Sequence, residues 1–284
     1  IMIFWIASYP KSGNTWLRAL LSAYYFTSDG FFSNDNLLKK ISQFPEKKHF
    51  ENFEYKKEIA GETSKLWIKA QELINQDKKI KFFKTHNFLG VMGGHQFTNT
   101  QNSIGAVYIV RDPRNVITSL KNHFEMSYDE SFDFMKSEKK FTYDYFKKND
   151  YSDFQFISSW EKNYQSWINN KIFPTMVIKY EDLSDQTYTV FRDLIFFINK
   201  ITKNHNNFDK KKALNALSST NFKKLKKIEE NEGFLESLNS KKNLKKIPFF
   251  HLGPDNDWRK SIERDFQNKL NISFKKNLEE LKYI

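Results

Sequence analysis

Apolar positions gather into four short runs, each closed by polar residues. The first, Ile3-Phe4-Trp5-Ile6-Ala7, is unbroken and reads as a short buried strand. A turn with Pro10 and Gly13 follows. Trp16, Leu20 and Tyr24 then recur every four residues, with Leu17 and Leu21 beside them, which predicts an amphipathic helix that Asn14 or Thr15 can cap. A second strand, Lys81-Phe82-Phe83-Lys84, ends at Thr85-His86. A third, Ala106-Val107-Tyr108-Ile109-Val110, ends at Arg111-Asp112, and Pro113 suits the first turn of a helix whose stripe is Val116, Leu120 and Phe124. The fourth, Met176-Val177-Ile178, runs into Lys179-Tyr180-Glu181-Asp182 and a Phe-rich helix over 190–198. Trp67, Ala70 and Ile74 mark one further helix and Trp160, Tyr164 and Trp167 another. From Ser261 onward, Ile262, Phe266 and Leu270 mark the last.

Apolar strands alternating with helices predict an α/β fold, here one domain over 1–284, with a central, mainly parallel sheet flanked by helices on both faces. Ligands of such sheets bind beyond the carboxyl ends of the strands, so Lys11, His86, Arg111 and Tyr180 are expected to be neighbours. Residues 31–65 and 126–152 are polar, charged and aromatic without a clean period, and read as surface insertions that act as lids. Residues 223–246 are rich in Lys, Glu and Asn, and are expected to be mobile with little core. There is no internal repeat.

Composition narrows the picture in three ways. The 284 residues include 29 Phe, so aromatic rings are expected to fill the core. The absence of cysteine excludes disulfides and zinc–thiolate sites. No apolar run approaches the roughly 18 residues of a spanning helix, and the apolar start is too short for a signal core, so a cytoplasmic protein is expected. The formal charge of +12 suits an anionic ligand, nucleic acid or an acidic membrane, and equally a coat of solvated lysines.

The chemistry lies at the strand ends. Tyr9-Pro10-Lys11-Ser12-Gly13-Asn14-Thr15-Trp16 joins a strand to a helix through a Gly-containing turn, where backbone N–H groups and the helix N-terminus make an anion site to which Lys11 adds charge. The nucleoside-triphosphate motif places Lys directly after its last Gly, whereas Lys11 precedes Gly13 and the first Gly is missing. This loop resembles the 5′-phosphosulfate loop of the sulfotransferase family, of the cytosolic type and like its bacterial members. The resemblance implies a P-loop-type fold and 3′-phosphoadenosine-5′-phosphosulfate (PAPS) as donor, with no metal. It also implies that Lys11 meets the bridging oxygen of the leaving phosphate, that Ser12, Gly13, Asn14 and Thr15 hold that phosphate, and that Trp16 packs on adenine.

Other islands are similar to the same family. Arg111 and Ser119, eight residues apart, resemble its 3′-phosphate segment; a guanidinium and a hydroxyl two helical turns on can grip one phosphate. Lys84-Thr85-His86 matches its Lys-Thr-His. His86 is thereby the expected base, Lys84 a further charge near the sulfonate, while His49, His95, His123 and His205 are expected in solvent without metal-ligand spacing. Tyr180 stands in a Tyr-Glu-Asp-Leu segment near adenine, and Thr220 and Phe222 in a segment that contacts the base. Phe249-Phe250-His251-Leu252-Gly253 resembles a loop whose Arg-Lys pair holds the 3′-phosphate. Here that pair is His251-Leu252, and the second Gly of the loop is Asn256. Weaker 3′-phosphate binding is expected unless Lys245, Lys246 or Arg259 substitutes.

The expected reaction is in-line transfer of a sulfuryl group to a hydroxyl or amine of an acceptor the sequence does not name. A nucleoside or metabolite kinase on the same fold is the first alternative. A non-enzymatic basic nucleic-acid-binding protein is the second; it accounts for the charge but not for the strand-end segments, so nucleic acid is not expected as the main partner.

Overall fold

The computed structural model describes residues 2–143, 149–240, 243 and 245–284. Every residue of β1 (Ile3–Ser8) is buried, because the strand lies inside a parallel sheet covered on both faces. The sheet order is β2-β1-β5-β8, with β2 at Lys81–Thr85, β5 at Ser103–Val110 and β8 at Thr175–Lys179. Between them lie a small ladder of β3 (Val91–Met92) with β4 (His95–Gln96), and a second of β6 (Phe141–Thr142) with β7 (Gln155–Phe156). Ala7 pairs with Thr85 on one side and Tyr108 on the other, and Val110 pairs with Lys179. That register brings the ends of all four main strands to one edge, the arrangement the sequence pattern predicts.

Alternate residues of β1 feed two cores. Ile3, Trp5 and Ala7 face α2 (Trp67–Ile74), α3 (Pro113–Phe124) and α5 (Trp160–Ile168). Phe4 and Ile6 face α1 (Asn14–Phe26), α7 (Thr187–Thr202) and α8 (Lys210–Ser219). Trp5, Phe44, Phe83 and Phe97 form an aromatic cluster with ring centroids 5.0–6.2 Å apart. Asp112 caps α3 by accepting from the Arg114 N–H, with Pro113 in the first turn.

Several expectations are corrected. Neither Asn14 nor Thr15 caps α1, which begins after Gly13 in a left-handed conformation, without a side-chain cap. Residues 31–65 bury Phe32, Leu38, Ile41, Phe44 and Phe50; their short 3-10 helices have a period of three, which hid the apolar face. Within 126–152 lies α4 (Tyr128–Lys136), opened by a Ser127/Glu130 capping box and burying Phe134 and Met135; residues 144–148 of that insertion lie outside the described residues. Residues 223–246 begin in α9 (Phe222–Glu232) and bury Leu225 and Phe234; 241, 242 and 244 lie outside the described residues. The last amphipathic stretch is three helices rather than one: α10 (Trp258–Ser261), α11 (Arg264–Ser273) and α12 (Lys275–Glu280), following α6 (Tyr180–Asp185) and those already named.

Candidate active site

A cavity of about 1240 Å³ opens at the carboxyl edge of the sheet. Lys11, Gly13, Asn14, Thr15, Trp16, Lys84, His86, Arg111, Ser119, Tyr180, Phe222, His251, Leu252 and Gly253 all line it, so most residues singled out in the sequence converge on one space. Ser12 is buried in the loop directly behind it. Thr220 does not reach the cavity: it is fully buried, and from the position just after α8 its hydroxyl donates back to the Ala216 carbonyl at 2.8 Å. An i−4 bond of this kind is the local habit of Thr in a helix end.

The loop is shaped by two left-handed residues, Lys11 (φ 64°) and Gly13 (φ 104°). At Gly13 a Cβ would come within 2.5 Å of the Tyr180 ring, so only Gly lets that ring close over the turn. Trp16 meets Tyr180 edge to face at 5.8 Å, and the Arg111 guanidinium lies 4.1 Å from the centre of the Tyr180 ring. The Arg111 Nη1 also donates to the Lys11 carbonyl at 3.3 Å, tying the third strand end to the loop. Lys11 Nζ sits 3.8 Å over the Phe249 ring. Burial pulls its pKa down to about 7 against the opposing charge of Glu236.

His86 is fixed by its neighbours on every side. Its ring Nδ1 lies 2.7 Å from the Ser8 carbonyl and its backbone N–H donates to Gln155 Oε1 at 2.8 Å. Its carbonyl accepts from Asn163 Nδ2 at 2.9 Å. Asn163 also accepts from the Tyr108 hydroxyl (2.7 Å), which accepts the Tyr9 N–H (3.1 Å). One buried chain of bonds therefore links the loop to His86. Asn14 belongs to it too: its Nδ2 donates to the Ile6 carbonyl and to Ser8 Oγ.

Sequence reasoning missed three side chains. Glu236, in the charged stretch after α9, accepts from the Thr15 hydroxyl and the Arg18 guanidinium and lies 3.5 Å from Lys84 Nζ. His123 is buried rather than solvated, lines the cavity and meets Phe249 edge to face at 5.6 Å. Asn163, invisible as one polar residue on an aromatic helix face, is fully buried. His49 is likewise packed, against Phe44 and Phe83. No signal of spacing separates these three, or His49, from surface polar residues.

Around the His251-Leu252 replacement, Lys246 lines the cavity, whereas Lys245 and Arg259 do not. Arg259 is largely exposed, stacked on Trp258 at 4.5 Å. The cations that act on His251 are Lys226 and Lys121. Among the described residues, no group of three or more His, Asp or Glu is placed to hold a metal ion, and no helix is long and apolar enough to cross a membrane.

A glycine turn with an adjoining lysine between a parallel strand and a helix, faced by an arginine from the next strand, is the arrangement of a phosphate-loop α/β fold. The chain belongs to the sulfotransferase domain family, whose pattern it matches over residues 3–282. It is 25% identical to the luciferin sulfotransferase of Photinus pyralis over 201 residues, 69% of this chain and 50% of that protein, so it spans about half the length of that curated relative. Its fold is similar to mouse sulfotransferase SULT7A1 complexed with PAP (3′-phosphoadenosine-5′-phosphate): 15% identity, TM-score 0.57, 98% of this chain and 83% of that one. It is also similar to retinol dehydratase in a complex with retinol and PAP: 15% identity, TM-score 0.58, 97% and 81% covered.

Proposed function

We propose that this chain transfers a sulfuryl group from PAPS to a hydroxyl or amine of an acceptor, acting as one domain over 1–284. The observation that carries the reading is the cavity in which Lys11 and its phosphate loop share one wall with a His86 whose orientation is fixed by Ser8.

The residues present fit such a donor. Ser12 Oγ, Trp16 Nε1 and Arg111 Nε are buried without a partner among the described residues, and all three belong to the segments that would hold it. Buried polar atoms are paired as a rule; others without a partner, such as those of Ser22, Thr63 and Trp160, lie away from the cavity, so the three of Ser12, Trp16 and Arg111 support a polar ligand through their place in the loop and strand-end segments. Ser12, Gly13, Asn14 and Thr15 would hold the 5′-phosphate, Arg111 and Ser119 the 3′-phosphate, and Trp16, Tyr180 and Phe222 the base. When bound, the donor supplies a sulfuryl group on a phosphate leaving group.

The chain's own groups then do three things. Lys11 brings a cation to the oxygen where negative charge grows, a placement that stabilises a transition state more than a ground state. His86, donating through Nδ1 to Ser8, leaves the Nε2 lone pair to accept the acceptor's proton. Lys84 adds positive charge beside His86, whose pKa burial lowers first and Lys84 second. Ser42, Gln43, Thr142 and Tyr143 line the same cavity from the two insertions, which supports reading these as lids on the acceptor side.

Calorimetric titration with PAP tests the reading. Saturable binding is expected, with turnover cut by roughly 10²–10⁴ in His86→Ala while PAP binding persists. A folded wild-type protein that does not bind PAP would remove the proposal.

A further inference from the structure

The 5′-phosphate cradle already contains an anion belonging to the chain itself. Glu236 accepts the Thr15 hydroxyl and the Arg18 Nη1 hydrogen, each at 2.5 Å, and its Oε1 lies 3.5 Å from Lys84 Nζ. Its side chain is 22% exposed, towards the cavity it lines. Burial would raise the pKa of this carboxyl, but Lys84 and Arg18 hold it well below the usual carboxylate range, so it is an anion at neutral pH. Thr15 lies in the first turn of α1, where the helix end itself favours negative charge. Glu236 thus meets each requirement of a bound phosphate: a helix N-terminus, a hydroxyl donor and two cations.

A hydroxyl has one hydrogen to donate. Thr15 gives it to Glu236, so a phosphate oxygen that takes the Thr15 hydrogen must displace the carboxylate. Arg18 does not depend on Glu236 for its position, since its Nε and Nη2 donate to the carbonyls of Ile41 and Leu38 at 2.7–3.0 Å. The segment carrying Glu236 is tied to the opposite wall. Glu229 accepts from the Ser237 hydroxyl and from the N–H groups of Phe249 and Phe250, and Phe249 lies under Lys11.

We propose that Glu236 is an internal competitor for the donor, which occupies Thr15 in the free protein, sets donor affinity and leaves the cradle as the donor's phosphate enters. The proposal rests on the donor reading above and adds to it a residue that opposes binding. Exchange of Glu236 for the phosphate keeps Arg18 and Lys84 paired with an anion in both states, which avoids the cost of a buried, unpaired charge.

Titration with PAP of wild type and Glu236→Gln, both checked for native circular dichroism, tests this. Glu236→Gln is expected to bind PAP roughly tenfold tighter, within the usual range of couplings between two sites. Equal or weaker binding by the variant, with wild-type binding intact, overturns the proposal and leaves the donor reading standing. Absence of binding to both proteins overturns the donor reading and this one with it. If the variant does not fold, stopped-flow tryptophan fluorescence on wild type decides. An observed rate that levels off at high PAP, limited by release of Thr15, is expected; a rate that rises in proportion to PAP throughout overturns it.

Discussion

His86 Nδ1 lies 2.7 Å from the carbonyl oxygen of Ser8, a contact made because Ala7 and Thr85 are paired on adjacent parallel strands. A carbonyl only accepts, so the proton sits on Nδ1 and the lone pair of the neutral ring on Nε2. Burial, with the charge of Lys84, pushes the His86 pKa down to about 3. The lowered value means the ring stays neutral at every pH above that. Imidazole NMR of the free protein should show no inflection for His86 between pH 5 and 8, with Nδ1 as the protonated nitrogen. His123, held at about 2 by burial and by Lys11, should be silent over the same range. An inflection of His86 near 6.5 would count against this depression of its pKa by burial and Lys84 while leaving it fit to act as a base, and a proton found on Nε2 instead would count against the tautomer.

Lys11 gives the opposite coupling. Its pKa of about 7 reflects burial, partly offset by Glu236, with Arg111 and Lys84 lowering it and Glu229 raising it. Above pH 7 the free amine is mostly neutral, and an entering anion draws a proton onto it. PAP binding at pH 8 should therefore take up a proton, seen as a binding heat that depends on the ionisation heat of the buffer, and affinity should fall as pH rises through 7. In Lys11→Arg, whose side chain is always charged, the uptake should vanish. Uptake unchanged in that variant would assign it to another group.

The strands and their order of chemistry were legible because parallel strands in the middle of a sheet must be apolar on both faces, as β1 is. Strand ends then carry the ligand groups, so the strand pattern alone groups Lys11, His86, Arg111 and Tyr180. Glu236 was not legible. It lies among Lys, Glu and Asn with no period, and only the fold brings it to Thr15 and Arg18, more than 200 positions away. Thr220 misled because a motif match says nothing of where a hydroxyl turns; here it turns back to α8, the helix it follows. Asn14 misled for a related reason. A polar residue after a Gly looks like a cap, but the cap position falls on Gly13, and the Asn14 side chain is turned by its Nδ2 donation to the Ile6 carbonyl, leaving its Oδ1 off the helix N–H groups.

Arg114 shows how the far end of the chain is held to the site. Its guanidinium bonds both carboxylate oxygens of Asp112 at 2.7–3.2 Å and Asn271 at 2.9 Å, and lies 4.2 Å from the centre of the Trp258 ring. Asp112 and Arg114 are both nearly sealed from solvent. Removing one member of a buried pair leaves the other charge unpaired, at a cost of about 3–5 kcal/mol. Arg114→Ala should lose stability on that scale in urea unfolding. A loss under about 1 kcal/mol would show that Asp112 finds another partner.

His251 lines the cavity where the proposed 3′-phosphate site lies, so its charge can be tested there. Its pKa is lowered first by burial and then by Lys226 and Lys121, so the ring is neutral at pH 7 and the two lysines are the cations that bear on it. Arg111 and Ser119 line the same cavity and would carry most of the grip. His251→Arg restores a fixed cation beside that phosphate, and a charge-assisted bond of this kind should tighten PAP by about tenfold, or ~1.4 kcal/mol. Adenosine 5′-phosphate, which lacks the 3′-phosphate, should bind the variant and wild type alike. Acidification through the His251 pKa should favour PAP over adenosine 5′-phosphate in wild type and not in the variant, because only the imidazole gains charge. Equal gains for both nucleotides in calorimetric titration would place the new guanidinium elsewhere in the cavity and remove His251 from the 3′-phosphate site.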